Sequence, residues 1–335
     1  MTKLADPSPA DLQAIVPCDT GLDPDAADSV FRLLALGHAQ GLAGALLTIT
    51  NIVGGAPRAL GAQMAVLADG RYCGYVSGGC VEAAVAGEAM KAIAVGVDKT
   101  LRFGTGSPFL DIELPCGGGI DIHIHVRPDP AMIEMALDHI AAREPFAIAL
   151  AVGQGKARLT PHSEPRERNG WLHGSFIRHY HPQTQLVLIG EGYELVGLAR
   201  LGHSCGLPVQ AYLTAEAGAH ALDDCGAAVA VLQGAQLPVL LVDPFTAIVF
   251  MLHDRFKESR LLESALDYSP FYIGALGSRR THASRLDRLD AAGIGPDRLA
   301  SLHGPVGLFG PTRTATALAI SVLAEITEAR AQLDG

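Results

Sequence analysis

From residue 185 onward the chain alternates short apolar runs with amphipathic stretches of helical length, and that alternation leaves few folds open. Residues 185–189, 209–213, 227–232, 246–252 and 271–275 read as strands, and residues 194–204, 257–266, 279–291 and 314–331 read as helices. Strands without a polar face are buried on both sides. Strand, crossover helix and strand in repetition then give a parallel sheet covered by helices on both faces. The predicted fold of this half is a Rossmann-type, doubly wound parallel sheet.

The first half has a different rhythm. A helix over 26–40 carries Val30, Leu33, Leu34 and Leu36 on one face. Strands over 45–52, 63–67 and 72–76 follow, joined by glycine-rich turns; then come a helix over 80–95 and strands over 99–103 and 120–126. A helix over 130–142 and a strand over 146–152 complete the pattern. Residues 153–183 turn polar and rich in Pro, Arg and His, which predicts a small hairpin and a boundary near His181 and Pro182. The expected organisation is α/β throughout: a small N-terminal α/β domain over 1–182, then the Rossmann-type domain over 183–335. A length of 335 residues suits two domains of about 150 residues each.

Composition narrows the function. A net charge of −10 argues against a sequence-independent grip on nucleic acid, which needs a basic face to displace counterions. The opening segment, MTKLADPSPADLQ, has no basic and apolar signal pattern, and the longest apolar run, 237–252, is interrupted by Asp243 and Pro244. A soluble, cytoplasmic protein is expected, with no membrane partner. Six cysteines occur and none forms a C-x-x-C pair, which gives no zinc knuckle and no thioredoxin-like motif.

Five loops carry candidate chemistry. Gly190-Glu191-Gly192 follows the first Rossmann strand, where glycines admit a pyrophosphate to a helix N-terminus. Its third glycine position is Leu195, expected to crowd helix against strand, and Thr214 stands where a ribose-binding acid belongs. A functional NAD(P) site is therefore disfavoured. Ser77-Gly78-Gly79-Cys80-Val81-Glu82 puts a cysteine between strand and helix, where orphan N–H groups would stabilise a thiolate. Cys116-Gly117-Gly118-Gly119 offers a second cysteine beside bare backbone, and two such thiols near one another would suit a soft or sulfur-bearing ligand. The turn over 54–61 adds Arg58, a candidate phosphate contact. Gly277-Ser278-Arg279-Arg280 joins a strand to a helix with a hydroxyl and two guanidinium groups, good chemistry for a phosphate. His303, in a further turn over 302–307, and His253, at the end of a predicted strand, are further candidates to line the crevice. The pairs His123/His125 and His179/His181 each share a strand face; without a third ligand at fixed spacing they read as polar strand faces rather than metal sites.

In order and spacing these segments resemble the xanthine dehydrogenase accessory family, XdhC/CoxI. The resemblance rests on residues 55–64, the run from Ser77 to Glu82, Cys116-Gly117-Gly118, the run from Gly277 to Arg280, residues 303–307 and the helix over 319–326. It implies maturation of molybdenum hydroxylases: holding molybdenum cofactor, assisting its sulfuration and passing it to an apoenzyme. Carried onto matching positions, it puts Cys80 and Cys116 at the molybdenum or its sulfur end and Ser278, Arg279 and Arg280 at the phosphate of molybdopterin. The implied partners are an apo molybdenum hydroxylase, a cysteine-desulfurase-type sulfur donor and a second copy of the chain. Departures from the family pattern fall at Leu195, Thr214, Leu252 and residues 309–312, all in the Rossmann half, and bear on nucleotide recognition there. The expectation is a cofactor-binding chaperone rather than a turnover enzyme; the rival is an NAD(P)-dependent oxidoreductase using His253 or His303.

Overall fold

The computed structural model describes residues 16–17, 27–79, 81–107, 117–161, 167–216, 219–223 and 225–334. The chain divides into two units, Met1–Pro182 and Gln183–Gly335.

The first unit opens with β1 (Val16–Pro17), α1 (Ala27–Ala39), β2 (Gly44–Val53), β3 (Gln63–Leu67) and β4 (Arg71–Gly74). Then come α2 (Glu82–Val95), β5 (Lys99–Gly104), β6 (Gly119–Val126) and α3 (Pro130–Ala142). β7 (Phe146–Ala151), β8 (Lys156–Pro161), β9 (Gly170–Leu172) and β10 (Ser175–Tyr180) finish it. A six-stranded sheet runs β1-β4-β3-β2-β6-β5, antiparallel apart from the β1–β4 edge. Alternate residues of its strands face two different cores, as period-2 side-chain geometry requires. Leu47, Ile49, Ile122 and Ile124 pack against α2 through Val85, Ala86, Ala89 and Ile93. Leu46, Ala65 and Leu67 face the opposite core, with Phe31, Leu33 and Leu34 of α1 and Met132, Ile133 and Ala136 of α3. That core also takes Phe146, Ile148, Phe176 and Tyr180 from an antiparallel sheet of order β8-β7-β10-β9. The polar stretch after β7 thus contributes three strands to a four-stranded sheet, where the sequence suggested one small hairpin. Its strands are only partly buried, so they lack the apolar alternation that announces a strand.

The second unit contains β11 (Gln185–Gly190), α4 (Tyr193–Ser204), β12 (Val209–Leu213), β13 (Ala228–Val231) and β14 (Thr246–Met251). α5 (Arg255–Ala265), β15 (Tyr272–Ala275), α6 (Arg279–Ala291), α7 (Pro296–Ala300), β16 (Leu302–His303) and α8 (Ala315–Asp334) follow. Its sheet is parallel throughout, in the order β13-β12-β11-β14-β15-β16. That order reverses between β11 and β14, the Rossmann arrangement whose switch point opens a crevice at the carboxyl ends of the strands. Every residue of β11 and β14 is buried. Leu186 and Leu188 pack on the side of α4 and α8, Val187 and Ile189 on the side of α5 and α6. The sixth strand is only Leu302–His303, which the sequence reads as a turn: two residues carry no period, and their place is set by pairing with Ile273 and Gly274.

Candidate functional site

Between β4 and α2 the backbone wraps around a carboxylate. Gly78 and Gly79 have φ of 89° and 108°, a region glycine enters without a Cβ penalty. Glu82, 1% exposed, turns back into this bend. Its Oε1 accepts from the N–H groups of Val76 at 3.1 Å, Ser77 at 2.8 Å and Gly78 at 3.1 Å. Its Oε2 accepts from Gly79 at 2.9 Å, from Val81 at 3.2 Å and from the Ser77 hydroxyl at 2.7 Å. Burial alone would raise the Glu82 carboxyl, but the Ser77 hydroxyl and the backbone donors outweigh it and hold the group below the usual carboxylate range. The N–H groups that the sequence offered to a thiolate are therefore engaged by a carboxylate from within the same motif. Cys80 and Cys116 themselves lie outside the described residues. Glu82 was legible only as a motif letter; a glutamate inside a glycine turn, before an apolar helix, is the signal that could have marked it.

Two other glycine segments press together. β2 runs alongside β6 with Val53 opposite Gly119, so the turn after β2 meets the segment leading into β6. A Cβ at Gly118 would overlap the carbonyl oxygen of Gly55, so only glycine fits there. Thr105 Oγ1 donates to the Gly117 carbonyl at 2.8 Å and Gly118 accepts from the Thr105 N–H at 2.9 Å. Arg58 sits half-buried in the turn after β2.

In the second unit Gly190, with φ of 145°, ends β11 so closely against β14 that a Cβ would overlap the Met251 carbonyl. Gly192, with φ of 93°, leads into α4. Thr214 donates its hydroxyl to Glu191 Oε2 at 2.7 Å, which ties the tip of this glycine turn to the end of β12. A pyrophosphate here would meet the Glu191 carboxylate. Leu195 does not crowd the helix away from the sheet: it is wholly buried in the same core as Leu186 and Leu188.

A cavity of about 800 Å³ opens at the carboxyl end of the sheet. Gly277, Ser278 and Arg279 line one side, residues 305–312 another, and Glu194 a third. Ser278 caps α6, its Oγ accepting from the Thr281 N–H at 3.1 Å and pairing with Thr281 Oγ1 at 2.9 Å. Arg279 and Arg280 are both exposed, but Arg279 alone of the two lines the cavity. The loops are braced from behind. Arg285, fully buried, donates to Glu258 at 2.8 and 3.0 Å and to the Leu276 carbonyl at 2.6 Å. Ser321 of α8 accepts from the Phe309 N–H at 2.9 Å and donates to the Phe309 carbonyl at 2.6 Å. Glu325, one turn on, accepts from the Tyr272 hydroxyl at 2.9 Å and the Gly307 N–H and pairs with His303 Nδ1 at 3.2 Å. Burial would raise the Glu325 carboxyl; contacts from His303, Gly307 and Tyr272 lower it overall.

The remaining candidates stand apart from this cavity's lining. His303 turns to Glu325 and packs on the Tyr272 ring, centroids 4.5 Å apart. His253 is exposed beyond β14, beside Asp254, which caps α5 by accepting from the Phe256 and Lys257 N–H groups. His123 and His125 are buried on β6 rather than forming an open polar face, and burial, more than any neighbouring charge, pushes the His123 imidazole down.

Comparison with known proteins decides the family. A model described as the XdhC Rossmann domain matches residues 186–326, and one described as the XdhC and CoxI family matches residues 38–104. Over 302 residues the chain is 35% identical to the molybdenum cofactor insertion chaperone PaoD of Escherichia coli (strain K12), covering 90% of this chain and 88% of that one. The chain belongs to the XdhC/CoxI family. A second relative, from Bacillus subtilis (strain 168) and named as a probable subunit of xanthine dehydrogenase, is 26% identical over 317 residues, covering 85% of this chain and 92% of its own. The fold is that of a xanthine dehydrogenase crystal structure from Bacillus halodurans, with a TM-score of 0.71 at 21% identity over 92% of this chain and 96% of that one. Within this XdhC/CoxI chain the Glu82 cradle falls in the region matched over 38–104, and Ser278, His303 and Glu325 fall in the region matched over 186–326. Cys116, Gly117 and Gly118 lie between them.

Proposed function

We propose that this chain is a carrier of molybdenum cofactor that assists sulfuration of its cargo and inserts it into a xanthine-dehydrogenase-like apo hydroxylase. The observation that carries this reading is 35% identity over 90% of the chain to a protein named as a molybdenum cofactor insertion chaperone. Two structural features support it. The cradle around Glu82 fixes the backbone on both sides of Cys80, a suitable mount for one thiol presented to a soft metal or its sulfur. The cavity lined by Ser278 and Arg279 offers a hydroxyl and a guanidinium for the phosphate of a pterin cargo. Glu191, held by Thr214, counts against a nicotinamide dinucleotide at the first glycine turn.

In this role the chain works as a cytoplasmic homodimer and meets two partners in turn, a cysteine-desulfurase-type sulfur donor and the apo hydroxylase. No chemical turnover by its own residues is required. The test is reconstitution of an apo hydroxylase of the xanthine dehydrogenase type with chain loaded in a cofactor-producing host. Wild type restores hydroxylase activity, Cys80→Ala does not, and Arg279→Ala does so at a reduced rate because the cargo is held less well. Equal restoration by wild type and Cys80→Ala would remove Cys80 from the mechanism. No restoration by wild type would overturn the insertion role.

A further inference from the structure

We propose that the first unit holds a divalent transition-metal ion of the zinc class between Asp98, His123 and His125, a site separate from that of the molybdenum cargo. His123 and His125 lie two apart on β6 and so share a face of the sheet. β5 is the antiparallel neighbour of β6, with Thr100 opposite His123, and Asp98 stands just before β5 and so alongside His125. The chain therefore brings two imidazoles and a carboxylate together, one ligand atom from each within 4.8 Å of the others. Their side chains are 1%, 6% and 6% exposed for His123, His125 and Asp98.

An ion would take the place of the hydrogen bond that joins two of these groups and part them by about 0.6 Å. His125 Nδ1 stands 2.8 Å from Asp98 Oδ2, and His123 Nε2 stands 3.6 Å from the same oxygen. Tetrahedral zinc with bonds of 2.0–2.2 Å spaces neighbouring ligand atoms by roughly 3.4 Å, between those two separations. His123 Nε2 is buried with no hydrogen-bond partner among the described residues, and it faces the Asp98 carboxylate. A bound ion would satisfy this orphaned buried atom.

The groups behind the ligands are oriented as metal sites require. His123 Nδ1 lies 3.0 Å from Thr100 Oγ1; when that nitrogen carries the proton and donates to the hydroxyl, Nε2 presents its lone pair to the gap. Asp98 Oδ1 accepts from the Val126 N–H at 2.9 Å, which fixes the carboxylate, and Oδ2, now hydrogen-bonded to His125 Nδ1, is the oxygen that would turn to the ion. Two imidazoles with one carboxylate select zinc, cobalt, nickel or ferrous iron over magnesium or calcium, which prefer oxygen alone.

The test uses the full chain, stripped with a chelator and reloaded with Co²⁺, with elemental analysis after gel filtration. One cobalt per chain is expected, with ligand-field bands of a nitrogen and oxygen site and no thiolate-to-cobalt charge-transfer band, and it is lost in His123→Asn. Failure to retain cobalt, a thiolate band, or full retention by His123→Asn would overturn the site. Should His123→Asn not fold, Thr100→Val at its exposed position removes only the ring anchor and is expected to weaken Co²⁺ binding about 10–100-fold. Unchanged affinity in that variant would likewise contradict the assignment.

Discussion

A single carboxylate that accepts five backbone N–H groups and a hydroxyl, as Glu82 does, organises its loop more than any apolar contact could. Replacing it with Gln leaves several of those donors without a full acceptor, and Glu82→Gln is expected to cost about 2–4 kcal/mol in denaturant unfolding at neutral pH. The pH dependence follows from its lowered carboxyl. A depressed folded-state pKa contributes stability that is complete above the unfolded value, about 4.3 for Glu, and is lost as pH falls through the folded value. The gap between wild type and Glu82→Gln should therefore be flat from pH 7 to about 5 and close at lower pH; a gap that persists undiminished to pH 3 would contradict it. At Gly118, where a Cβ would overlap the Gly55 carbonyl, alanine is expected to cost several times what it does at Gly117, about 1 kcal/mol, whose own Cβ would meet open space. Thermal unfolding of the two variants distinguishes them. The glycine positions were legible because turn chemistry is local. The partner of Glu82 and the third member of the Asp98 cluster were not, because hydrogen bonds and pairing across a sheet choose residues that sequence spacing does not mark; Asp98 and His125 are 27 residues apart.

Among the elements, α8 does more than cover the sheet. Ser321 and Glu325, one turn apart, pin the cavity loop at Phe309 and Gly307. Ser321→Ala is expected to speed amide hydrogen exchange across residues 305–312 while leaving the strands of the second unit unchanged; equal exchange in that loop would mean the brace is unimportant. On the opposite face, Arg285 joins α6 to Glu258 of α5 and to the loop at Leu276. Removing Arg285 leaves buried Glu258 with only Arg288, 3.9 Å away, as a cationic partner, so Arg285→Met is expected to destabilise by about 3 kcal/mol in denaturant unfolding. Several elements were readable from pattern and flanking turns: strands 63–67 and 209–213 and helices 130–142 and 279–291 have the bounds the sequence leads one to expect. β16 and β9, of two and three residues, carry no period, and β8 is mostly exposed, so all three owe their place to neighbours already in the sheet.

At the level of the whole molecule, the first unit has a mixed sheet with a glycine turn gathered around Glu82, and the second is a Rossmann unit whose carboxyl edge carries a braced cavity. Among the described residues no helix is long and apolar enough to cross a membrane. The sequence carried the class of each unit because buried parallel strands and glycine turns leave marks of their own. It also carried Ser278 and Arg279 to the cavity. It did not mark that His303 would pair with Glu325, 22 residues downstream, rather than appear among the cavity's lining residues. The carrier role stands or falls on whether this chain holds molybdenum cofactor. Elemental analysis and pterin fluorescence of the chain purified from a cofactor-producing host decide that. Molybdenum and pterin together, near one of each per chain, are expected, and their joint absence from folded protein would contradict the carrier role.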